Sequence, residues 1–364
     1  EARYGFFFEE IYGFGAMAYA DHKNFFGKFN EFSTSVQIAQ HKQEITLGYA
    51  NPLLFGTAFT FIPTAIRFVD RLSFNHEKIN PPAYPDSIEE RYEIINRGDL
   101  TFGITNNIRF RGTIDTRYVN KNEDKLFKLK GEIGLTFDYT NDYFNPTKGI
   151  RVFPTAGLGT NFSGKNDYED GHIYTYGEAT VNLYMPLFWT LYGALSGSVG
   201  RFFNTAIEDD ARVFYQGGSR SVRGYRFRSI YASYTSEVPT TITTKDEDGS
   251  VVTKDTTKEV TNTALTPMYF RINEELRWTL PWKSLRAWQI VQFFDWAKVM
   301  DMKDEQFNSS QEGSLGLGIR YHWQFLTFRL DYAIITGLTS VDESKKNSTR
   351  FKWGRFAFDL SQAF

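Results

Sequence analysis

The chain has no cysteine in its 364 residues, so disulfides and thiolate metal sites are excluded. It also lacks an uninterrupted apolar run of the roughly 20 residues that a membrane-crossing helix needs. Net charge is only −2, without the basic excess that marks a nucleic-acid partner. The five histidines (His22, His41, His76, His172 and His322) are scattered, with no pair at metal-ligand spacing. No nucleophile elbow, phosphate-cradling glycine loop or Cys/His constellation is present. Neighbouring acids such as Glu9-Glu10 and Asp209-Asp210 alternate across a strand or sit in a connection, which does not suit a cooperating acid–base pair. The inventory leads us to expect no enzymatic activity, no cofactor and no metal.

Aromatic residues, by contrast, are abundant. They make up 17% of the chain, with 35 Phe and 21 Tyr, although the sequence is polar on average. A transmembrane barrel requires this combination, because its strands alternate lipid-facing and lumen-facing residues. In 131–138, Ile133, Leu135 and Phe137 share one face, and Glu132, Thr136 and Asp138 the other. In 326–334, Leu326, Phe328, Leu330, Tyr332 and Ile334 oppose Thr327, Arg329, Asp331 and Ala333. A period of two puts each set on one wall of a sheet. Arg329 and Asp331 would be costly against lipid, so their wall faces a lumen.

Sixteen such segments are expected: 3–11, 15–23, 30–40, 44–54, 57–70, 90–104, 107–119, 127–142, 149–162, 172–187, 189–204, 267–281, 287–300, 312–323, 325–337 and 350–364. The fold class is therefore all-β: a 16-stranded antiparallel transmembrane β-barrel, read as one domain over 1–364. An even count closes the sheet with both termini on one side, and closure removes the edges that lipid would not tolerate. Short connections (24–27, 145–149, 281–284) mark the periplasmic side, and long ones (71–89, 204–267, 301–311, 339–349) the outside. Within the longest, 239–263 is rich in Thr, Asp, Lys and Glu and is expected to be solvated and mobile.

The segment 213–228 is unlike the rest of that long loop, 205–266. Arg220, Arg223, Arg226 and Arg228 are interspersed with Val222, Tyr225 and Phe227, and Gly217, Gly218 and Gly224 permit tight backbone paths. A basic surface loop would leave the rings exposed. A loop folded back into the lumen buries them and brings the arginines to lumenal carboxylates, which buried guanidinium groups need.

Val222-Arg223-Gly224-Tyr225, preceded by 217–221, resembles the signature loop of the BamA/TamA outer-membrane assembly superfamily, and is slightly closer to the TamA-like version. Four more segments resemble that family, in family order. They are Asn24-Phe-Phe-Gly27, Thr140-Asn-Asp142 with Asn145-Pro-Thr-Lys-Gly149, Phe293-Phe-Asp-Trp-Ala297, and the strand pair within 316–331. Two departures stand out: Ala297 replaces the family's glycine, and Asn141 stands where an arginine is usual. The last strand, with Phe356, Phe358 and Leu360 on one face and a terminal Phe364, looks like the recognition strand of outer-membrane proteins. Ser361 stands where many relatives carry glycine.

The resemblance implies a bacterial outer-membrane location, a loop arginine, Arg223, paired with Asp295, and supporting roles for Gly217, Gly218, Arg220 and Phe293. It implies a lateral gate between the last strand and the first, the latter carrying Gly5 near its start. Client strands would add to the exposed edge while the nearby bilayer is thinned. The implied partners are the outer-membrane bilayer, unfolded outer-membrane client proteins and periplasmic accessory proteins. The last of these engage POTRA domains upstream of the barrel, which are expected to lie outside this chain. A start at Glu1, without methionine or leader, reads as processed or trimmed. The alternative implied function is a two-partner-type secretion channel passing an unfolded polypeptide through the lumen. A passive porin is a third reading, against which the arginine loop argues.

Overall fold

The computed structural model describes residues 2–9, 12–24, 29–54, 66–79, 89–121, 124–143, 145–163, 173–203, 214–225, 229–230, 233–245, 251–263, 268–303, 306–323, 326–339 and 351–360. Sixteen strands form one antiparallel sheet, in chain order except for an excursion after the eleventh. They are β1 (Ala2–Glu9), β2 (Gly13–Lys23), β3 (Glu31–Ala39), β4 (Lys42–Asn51), β5 (Arg67–Ile79), β6 (Glu89–Gly103), β7 (Ile108–Lys121), β8 (Asp124–Asp138), β9 (Gly149–Ser163), β10 (Ile173–Phe188) and β11 (Leu191–Phe202). After the long loop follow β14 (Met268–Thr279), β15 (Trp288–Lys303), β16 (Gln306–Trp323), β17 (Leu326–Thr339) and β18 (Phe351–Leu360). Within the loop, β12 (Ser233–Lys245) and β13 (Val251–Thr263) pair only with each other.

The alternation read from the sequence sorts the side chains onto two walls. On β8, Phe127, Leu129 and Ile133 are exposed outward, while Lys130 and Glu132 form an ion pair of 2.8 Å on the inner side. On β17, Leu330 is exposed, whereas Arg329 and Asp331 are buried and hydrogen-bonded to each other at 3.0 Å. The outer wall therefore carries the apolar residues that lipid solvates. At the end of the barrel that holds both termini, Trp189, Trp278, Trp282 and Trp288 are exposed, as in an interfacial aromatic girdle.

The sheet is not closed. Among the described residues, no ladder joins β1 to β18, although the two edge strands approach each other. β18 is also irregular: Ala333 pairs with Arg355 and Ile335 with Lys352, so Trp353 and Gly354 oppose the single residue Ile334. A bulge of this kind bends a strand and weakens its ladder.

Three expectations about connections are corrected. The fifth strand is 67–79 rather than 57–70, so 71–79 of the loop expected over 71–89 is strand, and 80–88 lie outside the described residues. Arg71, Ser73, Asn75 and Glu77 give it an inner face so polar that it reads as a loop, yet Leu72 and Phe74 keep the period of two. The longer connection, 52–66, instead falls on the side of the termini. Second, β15 and β16 extend their pairing through 301–311, out to Lys303 and Gln306, where a long loop was expected. Third, 239–263 is largely a hairpin of β12 and β13. Its threonines and valines suit strands, and Asp248-Gly249 is a hairpin-turn signal, although 246–250 lie outside the described residues.

Candidate functional site

A short bridge, Gln216 to Ile230, pinches the long loop, and the segment between them docks on the inner wall of β14–β17. Gly217 and Gly218 take φ of 104° and 109°, values that side chains rarely adopt, and so turn the chain tightly. The Ser221 hydroxyl donates to Gln216 Oε1 at 2.7 Å and accepts from the Gly217 amide at 3.2 Å. Val222 then buries completely against Tyr269, Ala297 and Val299. The methyl of Ala297, present where the family has glycine, is thus part of the surface on which the loop sits.

Arg223 follows at 2% exposure. Its Nε and Nη2 donate to the two oxygens of Asp295, each at 2.6 Å, and its backbone amide donates to the same carboxylate at 3.0 Å. Nη1 reaches Glu275 on β14 at 2.8 Å and Asp331 on β17 at 3.2 Å. The guanidinium carbon lies 3.5 Å from the centre of the Phe293 ring. A planar fork that binds a carboxylate with two donors and stacks on a ring is what distinguishes arginine from lysine here. Burial works against the charge, but the carboxylates of Asp295, Glu275 and Asp331 outweigh it and hold the guanidinium pKa above its usual value.

The surrounding shell explains why these charges stay in place. Asn273 donates to Asp295 at 2.8 Å and to the Ser221 carbonyl at 2.6 Å, so one amide ties loop to wall. Glu275 accepts from Arg223, from Arg277 at 2.9 Å and from Arg320. Charge pairing of this density is how a buried ionic cluster offsets its desolvation. Glycine on β16 makes room beneath: a Cβ at Gly316 would collide with the Phe293 ring and the Tyr332 carbonyl.

Gly224 takes φ +89°, and a Cβ there would lie 3.0 Å from that of Ala333. Tyr225 donates to Glu312 on β16 at 2.6 Å. Burial, and then this carboxylate, push the tyrosine hydroxyl pKa up. Among the other residues singled out in the sequence, Arg220 is exposed and Phe293 is buried beneath Arg223. Arg226 and Arg228 lie outside the described residues. Sequence reasoning missed Asn273, Glu275, Arg277, Arg320 and Tyr269, which sit on strands where polar inward residues are routine.

The Asn141 departure is also accounted for. Its side-chain carbonyl accepts from the amides of Thr147 and Lys148 at 3.0 and 2.9 Å, and its amide donates to Thr147 Oγ1 at 2.9 Å, closing the turn. Arg151 on β9 reaches the same turn, donating to Thr140 at 3.0 Å and pairing with Asp138 at 2.9 Å.

At the seam, Gly5 pairs with Met17, and a Cβ there would meet nothing within 4 Å. Phe356 is 73% exposed and packs on Tyr332 with ring centres 4.9 Å apart. Phe358 and Leu360 pair with Leu330 and Phe328, two residues of the outward face. Ser361 and Phe364 lie outside the described residues.

A sixteen-strand antiparallel sheet with an apolar outer wall, a charged inner wall and an arginine loop docked inside defines a bacterial outer-membrane β-barrel protein. The chain belongs to the Omp85 superfamily, whose domain matches residues 24–364. Its fold is similar to that of BamA from Haemophilus ducreyi lacking POTRA domains 1–3, with TM-score 0.72 and 13% identity over 99% of this chain and 70% of that one. It is also similar to CdiB from Escherichia coli (TM-score 0.54, 8% identity, 97% of this chain) and CdiB from Acinetobacter baumannii (0.56, 12%, 96%). The chain spans 60% and 56% of those two CdiB chains. None of the curated proteins matches it. Members of the superfamily are transport and insertion factors that act on client proteins in the outer membrane.

Proposed function

We propose that this barrel inserts β-barrel client proteins into the outer membrane through a lateral gate between β1 and β18. The observation that carries the proposal is a seam with no ladder among the described residues, in a sheet whose fifteen other neighbouring strand pairs are all laddered. An edge strand presents a row of backbone donors and acceptors, which is a template for strand addition. The bulge at Trp353–Gly354, in the β17–β18 ladder, loosens the edge strand β18 itself. In this reading the Arg223 cluster fixes β14–β17 as a rigid wall, so that opening is confined to the seam. Gly5 on β1 and Phe356, Phe358 and Leu360 on β18 lie on the two edge strands that flank the gate. The mechanism uses only backbone hydrogen bonding and membrane thinning.

A second reading, secretion of an unfolded polypeptide through the lumen, is favoured by one observation. The inner face of β5–β8, away from the docked loop, carries part-exposed Arg71, Arg97, Arg111 and Arg117, a polar path for a chain. One experiment separates the two. The chain has no cysteine, so a pair placed across the seam, one within 2–6 and one within 354–358, reports on that seam alone. With the full protein in liposomes, oxidation should stop insertion of an unfolded outer-membrane client, and reduction should restore it. Unchanged insertion in the oxidised protein would overturn the gate. Continued passage of a secreted substrate in that state would favour the lumenal route.

A further inference from the structure

The outer wall carries a carboxylate where the bilayer would be deepest. Glu274, midway along β14, points outward and is exposed. Its neighbours on that face are Ile272 and Leu276 along the strand and Leu195 and Phe294 across it, all apolar. Gln292 on β15 is the second polar residue of this patch; it is exposed and lies opposite Leu276, diagonal to Glu274. Another outward carboxylate, Asp70, accepts a hydrogen bond of 3.1 Å from Asn96 within its own wall. No such bond to Glu274 or Gln292 is found among the described residues. In hydrocarbon, polar groups left in that state are expensive, and where they occur they mark contacts with another polar group.

The relative height of the two side chains identifies the partner. Rows of paired residues climb toward the outer end from lower- to higher-numbered strands. Ala2, at the inner end of β1, shares a row with Ile173, at the outer end of β10, through nine successive registers. Gln292 is one strand further along that climb than Glu274 and two residues inward. With strands tilted about 40° and about 4.8 Å apart, the step across rises ~3 Å and the step along falls ~5 Å. The two side chains are therefore level to within ~2 Å. We propose that this face is the interface of a two-fold dimer of this chain in the membrane.

Two copies inserted in the same orientation are related by an axis along the membrane normal, which pairs residues of equal height. Glu274 of each copy then accepts from the Gln292 amide of the other, so the same bond forms twice across one self-complementary contact and satisfies all four groups. Gly197, outward beside Ile272, keeps the wall low at this point, since a Cβ there would meet nothing within 4 Å. Small residues of this kind let membrane walls approach closely. The seam between β1 and β18 lies on the far side of β16–β18 and stays uncovered.

The test is Förster transfer between donor- and acceptor-labelled full-length copies in phosphatidylethanolamine–phosphatidylglycerol vesicles, titrated by protein-to-lipid ratio. Dimerisation of the wild type is expected, weakened at least about tenfold by Glu274→Leu and by Gln292→Leu. The exchange variant carrying Glu274→Gln with Gln292→Glu keeps the complementarity and should restore association to within about threefold. Heat-modifiable gel mobility verifies that each variant is folded. Transfer no higher than random proximity in the wild type would overturn the proposal. So would leucine variants that dimerise as well as the wild type, or an exchange variant as weak as the singles.

Discussion

Arg223 and Asp295, 72 residues apart in sequence, meet through three hydrogen bonds: two at 2.6 Å from the side chain and one at 3.0 Å from the backbone. Both residues are almost wholly buried, so removing either leaves the other short of its principal partner. Breaking a buried pair from one side costs about 3–5 kcal/mol. Arg223→Ala and Asp295→Ala should each reduce unfolding stability in bilayers by about that amount and expose the loop to protease. The double variant should lose less than the sum, with a coupling of about 1–3 kcal/mol in a double-mutant cycle.

Gly224 is held at a φ of +89° with Ala333 against it, so Gly224→Ala is strained and crowded together. A loss of about 1–3 kcal/mol is expected, together with protease sensitivity in 214–230. Ala333→Gly should relieve the crowding but not the φ, giving partial rescue measurable by the same digestion.

Tyr225→Phe removes the charge-assisted bond of 2.6 Å from this ring to Glu312 on β16. The expected cost is about 1–3 kcal/mol. A pH dependence follows from the raised tyrosine pKa. The undocked ring ionises near pH 10, so the docked state's advantage is fully present below about pH 10 and is lost as pH rises toward the higher docked value. Loop protection in the wild type should fall over that range, and in Tyr225→Phe it should be flat.

Asn141 closes the β8–β9 turn with three bonds. Asn141→Ala should cost about 1–2 kcal/mol, read by urea unfolding of the barrel, with no change in loop protection. Asn141 and Arg223 share no partner among the described hydrogen bonds, so the effect should add to that of Arg223→Ala.

Much of the barrel was legible because a period of two survives even where the residues are polar. Leu330 between Arg329 and Asp331 sufficed to orient β17. Val222–Tyr225 was legible because arginines, rings and glycines in one loop have no use at a solvated surface. What stayed hidden had local causes. β5 was misplaced because Arg71, Ser73, Asn75 and Glu77 disguise its inner face as a loop. The β12–β13 hairpin was hidden by its charge, despite its β-branched residues and Asp248-Gly249. Glu275, Arg277 and Arg320 could not be joined to Arg223 from sequence, since two separate strands, β14 and β16, bring them to the loop. Above all, pairing periodicity says where strands are and nothing about which neighbouring pair is left unlaced.

The account rests on that unlaced pair, and amide hydrogen exchange of the membrane-embedded protein tests it most directly. The amides of β1 and β18 that face the seam should exchange at least about a hundredfold faster than those of β10 and β11, whose ladder is nearly continuous over 176–202. Protection of the seam equal to that of β10 and β11 would mean a laced barrel and would contradict the lateral gate.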